Sequence, residues 1–385
     1  MTSRSAEASS PVPVSTALVY APFFPPATDG GGPIRSLSAF VVNAPTSWTL
    51  SVATSDRDLG AADRLTVPSN IWSSWRDVPT LYASVDRLRG LFNLWQPILT
   101  RTPDVLYVNS FFNWKFSLVP QLVTRLARPR VRMVVATRGE MGAGALGRRN
   151  AKKVLLLTLY RALRLHRRVV FHASSEMERR DIERSLGSDI EVLVRRNETL
   201  LPPTAQTSQV PPDSRIVFVG RVVPHKGLEL LLQALTSVSG SVRLDVFGAE
   251  EDRAYAARCR DLADASRHDV TFHGSTEHGK ILEAVRAATL LALPTAGENF
   301  GHVIVESLSV GCPVVVADTT PWSARLLEHG GGVVVDQATP EAWAQAVSSV
   351  LSLVPEEQTT MRQRAADAYD SWQEEAGPHL LDLLS

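Results

Sequence analysis

RIVFVGRVVPHKGLELLLQALTSVSGSVRLDVFGA (215–249) reads as strand, helix, strand. RIVFVGR (215–221) and RLDVFGA (243–249) are short, β-branched and apolar on both faces, which is the pattern of strands buried inside a parallel sheet. The amphipathic stretch between them, 226–239, is long enough for a right-handed crossover. The rhythm continues through DVTFHGS (269–275), ATLLALP (288–294) and PVVVAD (313–318), with helical segments at 277–287 and 340–353. It also runs back towards the start, through RVVFHAS (168–174), RMVVATR (132–138), DVLYVNS (104–110), TLSVATSD (49–56) and TALVYAP (16–22). The fold class is α/β, two doubly wound Rossmann-like domains.

The division falls at LPPTAQTSQVPPDS (201–214), where two Pro-Pro pairs interrupt any regular element. A loose tail is expected at 1–14, a first domain at 15–200, a hinge at 201–214 and a second domain at 215–358. The last stretch, 359–385, reads as a helix with no further strand, placed to cross back onto the first domain. With 385 residues, the chain is too long for one ordinary core.

An apolar content of 44% with 21% charged residues excludes wholesale disorder. No apolar run approaches the roughly 18 to 20 residues that span a bilayer, and MTSRSAEASSPVPVS has no signal-peptide core, so a cytoplasmic location is expected. Two cysteines, Cys259 and Cys312, give neither a disulfide framework nor a metal cluster. The zero net charge divides at residue 200: 27 Lys+Arg against 16 Asp+Glu before it (+11), 13 against 24 after it (−11). A basic half faces anionic material or its acidic partner across a cleft. The acidic second half speaks against nucleic acid.

Ligands of doubly wound sheets bind at the carboxyl ends of the strands, so the chemistry is sought in those loops. After the first strand, Gly30, Gly31 and Gly32 precede a helix near Pro33, where backbone and helix terminus can approach a phosphate; the spacing is not that of a dinucleotide fingerprint. Arg221 and Lys226 converge on one strand end, a planar fork and a point charge suited to a leaving diphosphate. In PTAGENFGHVIVESLSVGCPVVVAD, Glu298 precedes a helix starting near Phe300 and Glu306 lies inside it, so one carboxylate can accept sugar hydroxyls and the other ribose hydroxyls. Asp56-Arg57-Asp58 has the form of a metal-binding Asp-x-Asp, but it follows the second strand, away from those cations, and is read as a solvated loop.

Together, these stretches resemble the family 4 retaining glycosyltransferases of GT-B fold, whose two domains face each other across a cleft. The resemblance runs through TRGEMGAGALGRRNAKK (137–153), FHASSEMERRDI (171–182), VFVGRVVPHKG (217–227), FGAEEDRAY (247–255) and, most specifically, PTAGENFGHVIVESLSVGCPVVVADTTPW (294–322). It implies that Arg221 and Lys226 bind the diphosphate of a nucleoside diphosphate sugar and Glu306 its ribose, while Glu298 with the amides of Asn299, Phe300, Gly301 and His302 binds the transferred sugar. The glycine loop 30–32 would close over the phosphates. Where many members carry a histidine after the fourth strand, this chain has Arg138-Gly139-Glu140, with Arg138 expected at the sugar or phosphate and Glu140 orienting it. Transfer to an acceptor hydroxyl with retention, without metal or cofactor, is the activity implied, in polysaccharide or glycoconjugate synthesis. The rival readings are a transferase acting on a small secondary metabolite, a non-catalytic nucleotide-sugar-binding protein, and an epimerase or phosphorylase on the same architecture.

Three features stand outside that assignment. Arg148, Arg149, Lys152, Lys153, Arg161, Arg164, Arg167 and Arg168 surround VLLLTLY with no acid among them, the pattern either of an anionic inner-membrane contact reaching a lipid-linked acceptor or of a helix with its leucines in the core. Phe111, Phe112, Trp114 and Phe116 follow the third strand, as acceptor pocket or as core. His172 reads as an interior strand end.

Overall fold

Short runs apolar on both faces form the strands of two sheets in the computed structural model, which describes residues 14–142, 151–211 and 213–384. The first sheet comprises β1 (Ser15–Tyr20), β2 (Trp48–Ser55), β3 (Trp72–Trp75), β4 (Val78–Ala83), β5 (Val105–Val108), β6 (Arg132–Ala136), β7 (Val169–Ala173) and β8 (Glu191–Val194). Its order is β3-β4-β2-β1-β5-β6-β7-β8, parallel except for β3 against β4. The second comprises β9 (Arg215–Val219), β10 (Arg243–Phe247), β11 (Asp269–Gly274), β12 (Leu290–Leu293), β13 (Val314–Ala317) and β14 (Gly332–Val335), in the order β11-β10-β9-β12-β13-β14. Strand order reverses between β1 and β5 and between β9 and β12, and a crevice at such a switch point is where this architecture binds ligands.

Four strands go beyond the ten read from the sequence. β3 and β4 form a hairpin whose turn, Arg76 and Asp77, has positive φ (47° and 67°) without glycine, and the proline in VPTLYA masks the run. β8 and β14 are four-residue edges with mostly half-buried side chains.

Crossovers cover both faces of each sheet. On one face of the first sheet, the helices Leu88–Thr100, Ala151–Ala162 and Glu176–Leu186 bury Leu94, Ile98, Leu157, Tyr160, Ile182 and Leu186. The other face takes the helix Gly32–Val42 through Leu37 and Phe40. The final long helix starts at Pro355, ahead of the expected 359, and its Tyr369 and Trp372 pack in the second domain's core. Only the chain beyond it returns: Leu380, Leu381 and Leu384 lie in the first domain's core beside Phe40. The two crossings are tied together, with Arg195 donating to the carbonyls of Pro378 (2.6 Å) and Gly377 (3.1 Å) and Arg196 stacked 3.7 Å over Trp372.

Candidate active site

The loops after β9 and β12 are clamped into one surface. The His225 carbonyl accepts from Ala296 N (2.8 Å) and Thr295 Oγ1 (3.2 Å), and burial together with Lys226 and Arg221 lowers the His225 pKa. This brings Lys226, at the end of the short turn Pro224–Lys226, against Glu298: Nζ and Oε1 form an ion pair with both side chains largely enclosed. Arg221 stands nearer the rim, paired with Glu251 at 2.6 Å and about half exposed. The helix carrying the second carboxylate runs His302–Ser309, two residues later than expected, because Gly301 adopts φ +77° at its start. The Phe300 ring turns into the core and its carbonyl accepts from Trp322 Nε1 (2.6 Å). Glu306 then lies near the cleft, with a side chain 7% exposed.

The first domain meets this surface at close range. Gly32 starts its helix so near His302 that an added Cβ would lie 2.7 Å from the imidazole Cδ2. Ser36 Oγ is 2.7 Å from His302 Nε2, and burial beside Arg35 and Arg138 keeps His302 neutral well below its ordinary range. Arg35, one turn into the same helix, pairs with Glu306 and lies 3.2 Å from His278 Nδ1. The loop before Gly30 is held by Asp58, which accepts from Thr28 N (2.6 Å), Asp29 N (3.1 Å) and Leu59 N (2.7 Å). Asp58 is therefore a support of the glycine loop and Asp56 a buried anchor for Ser69 Oγ (2.8 Å) and Ser84 Oγ (2.7 Å), which corrects the reading of a solvated loop. Among the described residues, no group of three or more His, Cys, Asp or Glu is placed to hold a metal ion.

The Arg138-Gly139-Glu140 turn is wired into its own domain. Arg138, at φ +52°, donates from Nε to Asn109 Oδ1 (2.6 Å), from Nη2 to Tyr107 OH (2.8 Å) and from Nη1 to Asn197 Oδ1, so its guanidinium is held at the strand ends of the first sheet, with its charge felt at His302. Tyr107 OH then donates to His172 Nδ1 (2.9 Å), whose Nε2 donates to the Arg195 carbonyl (2.7 Å); burial, with Arg138 nearby, pushes the His172 pKa down to about 3. Glu140 accepts from Ser110 Oγ (2.8 Å), Phe111 N (2.7 Å) and Phe112 N (2.8 Å), fixing the loop after β5, which is a different task from the sugar-orienting one expected of it. Gly139, at φ +77°, lets Asn299 approach from the other domain, where a Cβ would meet the Asn299 Cβ at 2.9 Å.

Sequence reading missed the carboxylate beneath this contact. Glu178, 2% exposed, accepts from Thr137 Oγ1 (2.7 Å), Gly139 N (2.7 Å), Ser174 N (2.7 Å) and Ser174 Oγ (2.8 Å), and Ser174 Oγ in turn accepts from Asn299 Nδ2 (3.1 Å). In sequence, Ser175-x-x-Glu178 has the form of an ordinary helix capping box, which hides this second use. Arg35 had no signal at all, because its partner is 271 residues away.

Of the aromatic group, Phe111 and Phe116 are core, while Phe112 lies 4.9 Å from the Lys153 ammonium and Trp114 is half exposed. The helix Ala151–Ala162 buries only Leu157 and Tyr160, leaving Val154, Leu155 and Leu159 facing outward; Arg148 and Arg149 lie outside the described residues. Both cysteines are buried, and burial raises their pKa, Cys259 to about 11. Among the described residues, no helix is long and apolar enough to cross a membrane.

Residues 205–368 match the family described as Glycosyl transferases group 1. A D-inositol 3-phosphate glycosyltransferase of Xylanimonas cellulosilytica is 33% identical over 199 residues, 47% of this chain and 48% of that protein. One of Segniliparus rotundus is 32% identical over 149 residues, 37% of this chain and 33% of that protein, so the chain spans about half or less of the curated relatives it matches. Among solved structures, Anabaena HepE in complex with UDP and glucose superposes with a TM-score of 0.69 at 16% identity, covering 95% of this chain and 96% of that one. The sucrose-phosphate synthase of Thermosynechococcus elongatus superposes at 0.72 and 17% identity, covering 96% and 98%. The fold is that of the GT-B glycosyltransferases, with two Rossmann-like domains.

Proposed function

We propose that this protein is a retaining, metal-independent glycosyltransferase that moves a sugar from a nucleoside diphosphate sugar to an acceptor hydroxyl. The observation that carries the reading is the enclosed Lys226–Glu298 pair, with Arg221 on its rim, at the switch point of the second sheet. Lys226 and Arg221 supply positive charge where a diphosphate leaves, the role a metal ion fills elsewhere, and Glu298 accepts sugar hydroxyls. Glu306 accepts the ribose hydroxyls. The close approach of the two domains excludes water that would hydrolyse the donor. No carboxylate stands free as a nucleophile in the described first-domain turn, since Glu140 and Glu178 are both saturated by donors, which favours same-face displacement assisted by the departing phosphate. A panel of nucleoside diphosphate sugars, beginning with UDP-glucose, tests the reading: one member should raise the melting temperature, and its product should keep the anomeric configuration. Stabilisation without turnover on any acceptor would make the protein a non-catalytic binder.

The acceptor is proposed to be lipid-linked and met at an anionic membrane on the cytoplasmic side, in polysaccharide or glycoconjugate synthesis. The helices Leu88–Thr100, Val119–Ala127 and Ala151–Ala162 adjoin on one face and present Leu88, Phe92, Leu122, Leu126, Leu155 and Leu159 to the outside. Residues 87–132 and 151–168 carry fourteen Lys+Arg and one acid, Asp104. Exposed apolar side chains among cations fit a bilayer interface of negative charge. Vesicle flotation should show binding that rises with acidic lipid and falls with salt; equal, negligible binding to anionic and neutral vesicles would shift the acceptor to a soluble molecule, such as a secondary metabolite.

A further inference from the structure

Each carboxylate of the candidate donor site is paired with a cation, and the two pairs are built alike. Glu298 is held by Lys226 from its own domain, and Glu306 by Arg35 from the opposite one. A donor that brings hydroxyls to both carboxylates displaces both cations, and it brings a diphosphate at the same moment. For Lys226, the exchange is direct, since the released ammonium has a phosphate to meet. Arg35 stands in a matching position. It lies in the first turn of the eleven-residue helix Gly32–Val42, immediately after the glycine loop, and its side chain is one-third exposed and so has room to swing. The helix terminus adds a positive dipole end and backbone N–H groups, and a guanidinium adds a fork that fits two phosphate oxygens. Leaving either cation or either carboxylate unpaired in the enclosed cleft would carry a desolvation cost, so the pairs should exchange together.

We propose that Arg35 is a further donor-binding residue, the first domain's counterpart of Lys226, which yields Glu306 to the ribose hydroxyls and takes up a phosphate oxygen of the diphosphate. This rests on the cleft being a nucleoside diphosphate sugar site. The exchange ties domain closure to the donor, because the only cation that crosses from the first domain to Glu306 in the described structure is the one that follows the phosphate.

The two halves of the exchange have opposite effects on affinity, which makes them separable. The nucleoside, with ribose but no phosphate, competes with Arg35 for Glu306; the nucleoside diphosphate gains Arg35 as a contact. Calorimetric titration of the full chain with both ligands, using the base that stabilises the wild type in the sugar-nucleotide panel, is therefore decisive. Arg35→Ala should bind the diphosphate roughly tenfold or more weakly, as expected for one lost charge-assisted contact, while binding the nucleoside as well or better. Arg35→Lys, which keeps the charge and the fold, should recover part of the diphosphate affinity. In a Glu306→Gln background, Arg35→Ala should still weaken the diphosphate and no longer help the nucleoside. Equal losses for nucleoside and diphosphate would mean that Arg35 only orients Glu306, and unchanged diphosphate affinity would mean that it never reaches the phosphate; either overturns the proposal. Absence of binding by any nucleoside diphosphate to the wild type is a separate result, which removes the donor site itself.

Discussion

The strand ends of the two domains face each other with the same residue types and use them in different ways. In the first domain, Glu140 and Glu178 accept from backbone amides and hydroxyls, and Arg138 donates to amide oxygens and a phenol. These partners are neutral and fixed. In the second domain, Glu298 pairs with Lys226 within the domain, and Glu306 meets Arg35 across the cleft. Those partners are long, charged and replaceable. A carboxylate saturated by backbone donors sets geometry, whereas one paired with a flexible cation is available for exchange with a ligand.

The comparison breaks most visibly if charge removal in the second domain is harmless. Lys226→Ala should lower turnover by roughly 10²-fold or more, the loss typical of one transition-state donor, and lower the melting temperature because Glu298 is left unpaired, so turnover is read well below that temperature. Unaltered kinetics in a well-folded variant would end the diphosphate assignment. Next in size is Glu178→Gln, which presents an NH2 group to the amides of Gly139 or Ser174; leaving a buried donor unmatched should cost about 1 to 3 kcal/mol in urea unfolding and slow turnover by displacing the turn below Asn299. If it instead weakened donor binding alone, Glu178 would belong with the exchanging carboxylates.

Glu306→Gln should weaken donor affinity more than it slows the bound complex, and Glu298→Gln should do the reverse. Identical effects in a titration would erase that division of labour. A smaller effect concerns pH. His172 has a folded pKa of about 3 against an ordinary 6.5, so between those values the unfolded chain binds a proton that the folded one does not. Its contribution is complete above about pH 6.5 and declines as pH falls towards 3. The melting temperature of the wild type should therefore drop more steeply over that window than that of His172→Asn. The smallest expected effect is none: excess chelator should leave turnover unchanged, and a loss restored by Mg²⁺ or Mn²⁺ would bring Asp56 and Asp58 back as ligands, against their present hydrogen bonds.

The two sheets were legible because strands buried on both faces have no alternative but short apolar runs, as in RIVFV and VVVA. The β3–β4 hairpin was not, since its strand VPTLYA carries a proline and its turn contains no glycine. Motif residues were legible where loop and helix meet within a few positions, as from Glu298 to Glu306. Arg35 and Glu178 were not: the first acquires its partner only when two domains meet, and the second shares its local pattern with any capped helix. The partners of Arg138 were not legible, because Tyr107, Asn109 and Asn197 come together only through the order of the sheet.

The return of Leu380, Leu381 and Leu384 to the first domain bears on how such a chain can be recombined. Leu201 and Ala205 pack on the second domain's core and Ser208 hydrogen-bonds to Arg286 and Arg362, so the stretch expected as a hinge at 201–214 belongs in large part to the second domain. A graft cut once, between Thr199 and Leu201, would carry the three C-terminal leucines away with the wrong half and expose the surface around Phe40 that they cover. A chimera must therefore be spliced at two places, once between Thr199 and Leu201 and once between Glu374 and Pro378, so that each core keeps its own side chains. The same pair of adjacent crossings acts as a two-stranded strap. Arg195 and Arg196 bind the two crossings to each other, so separating the halves would require breaking these contacts as well as stretching two segments of chain.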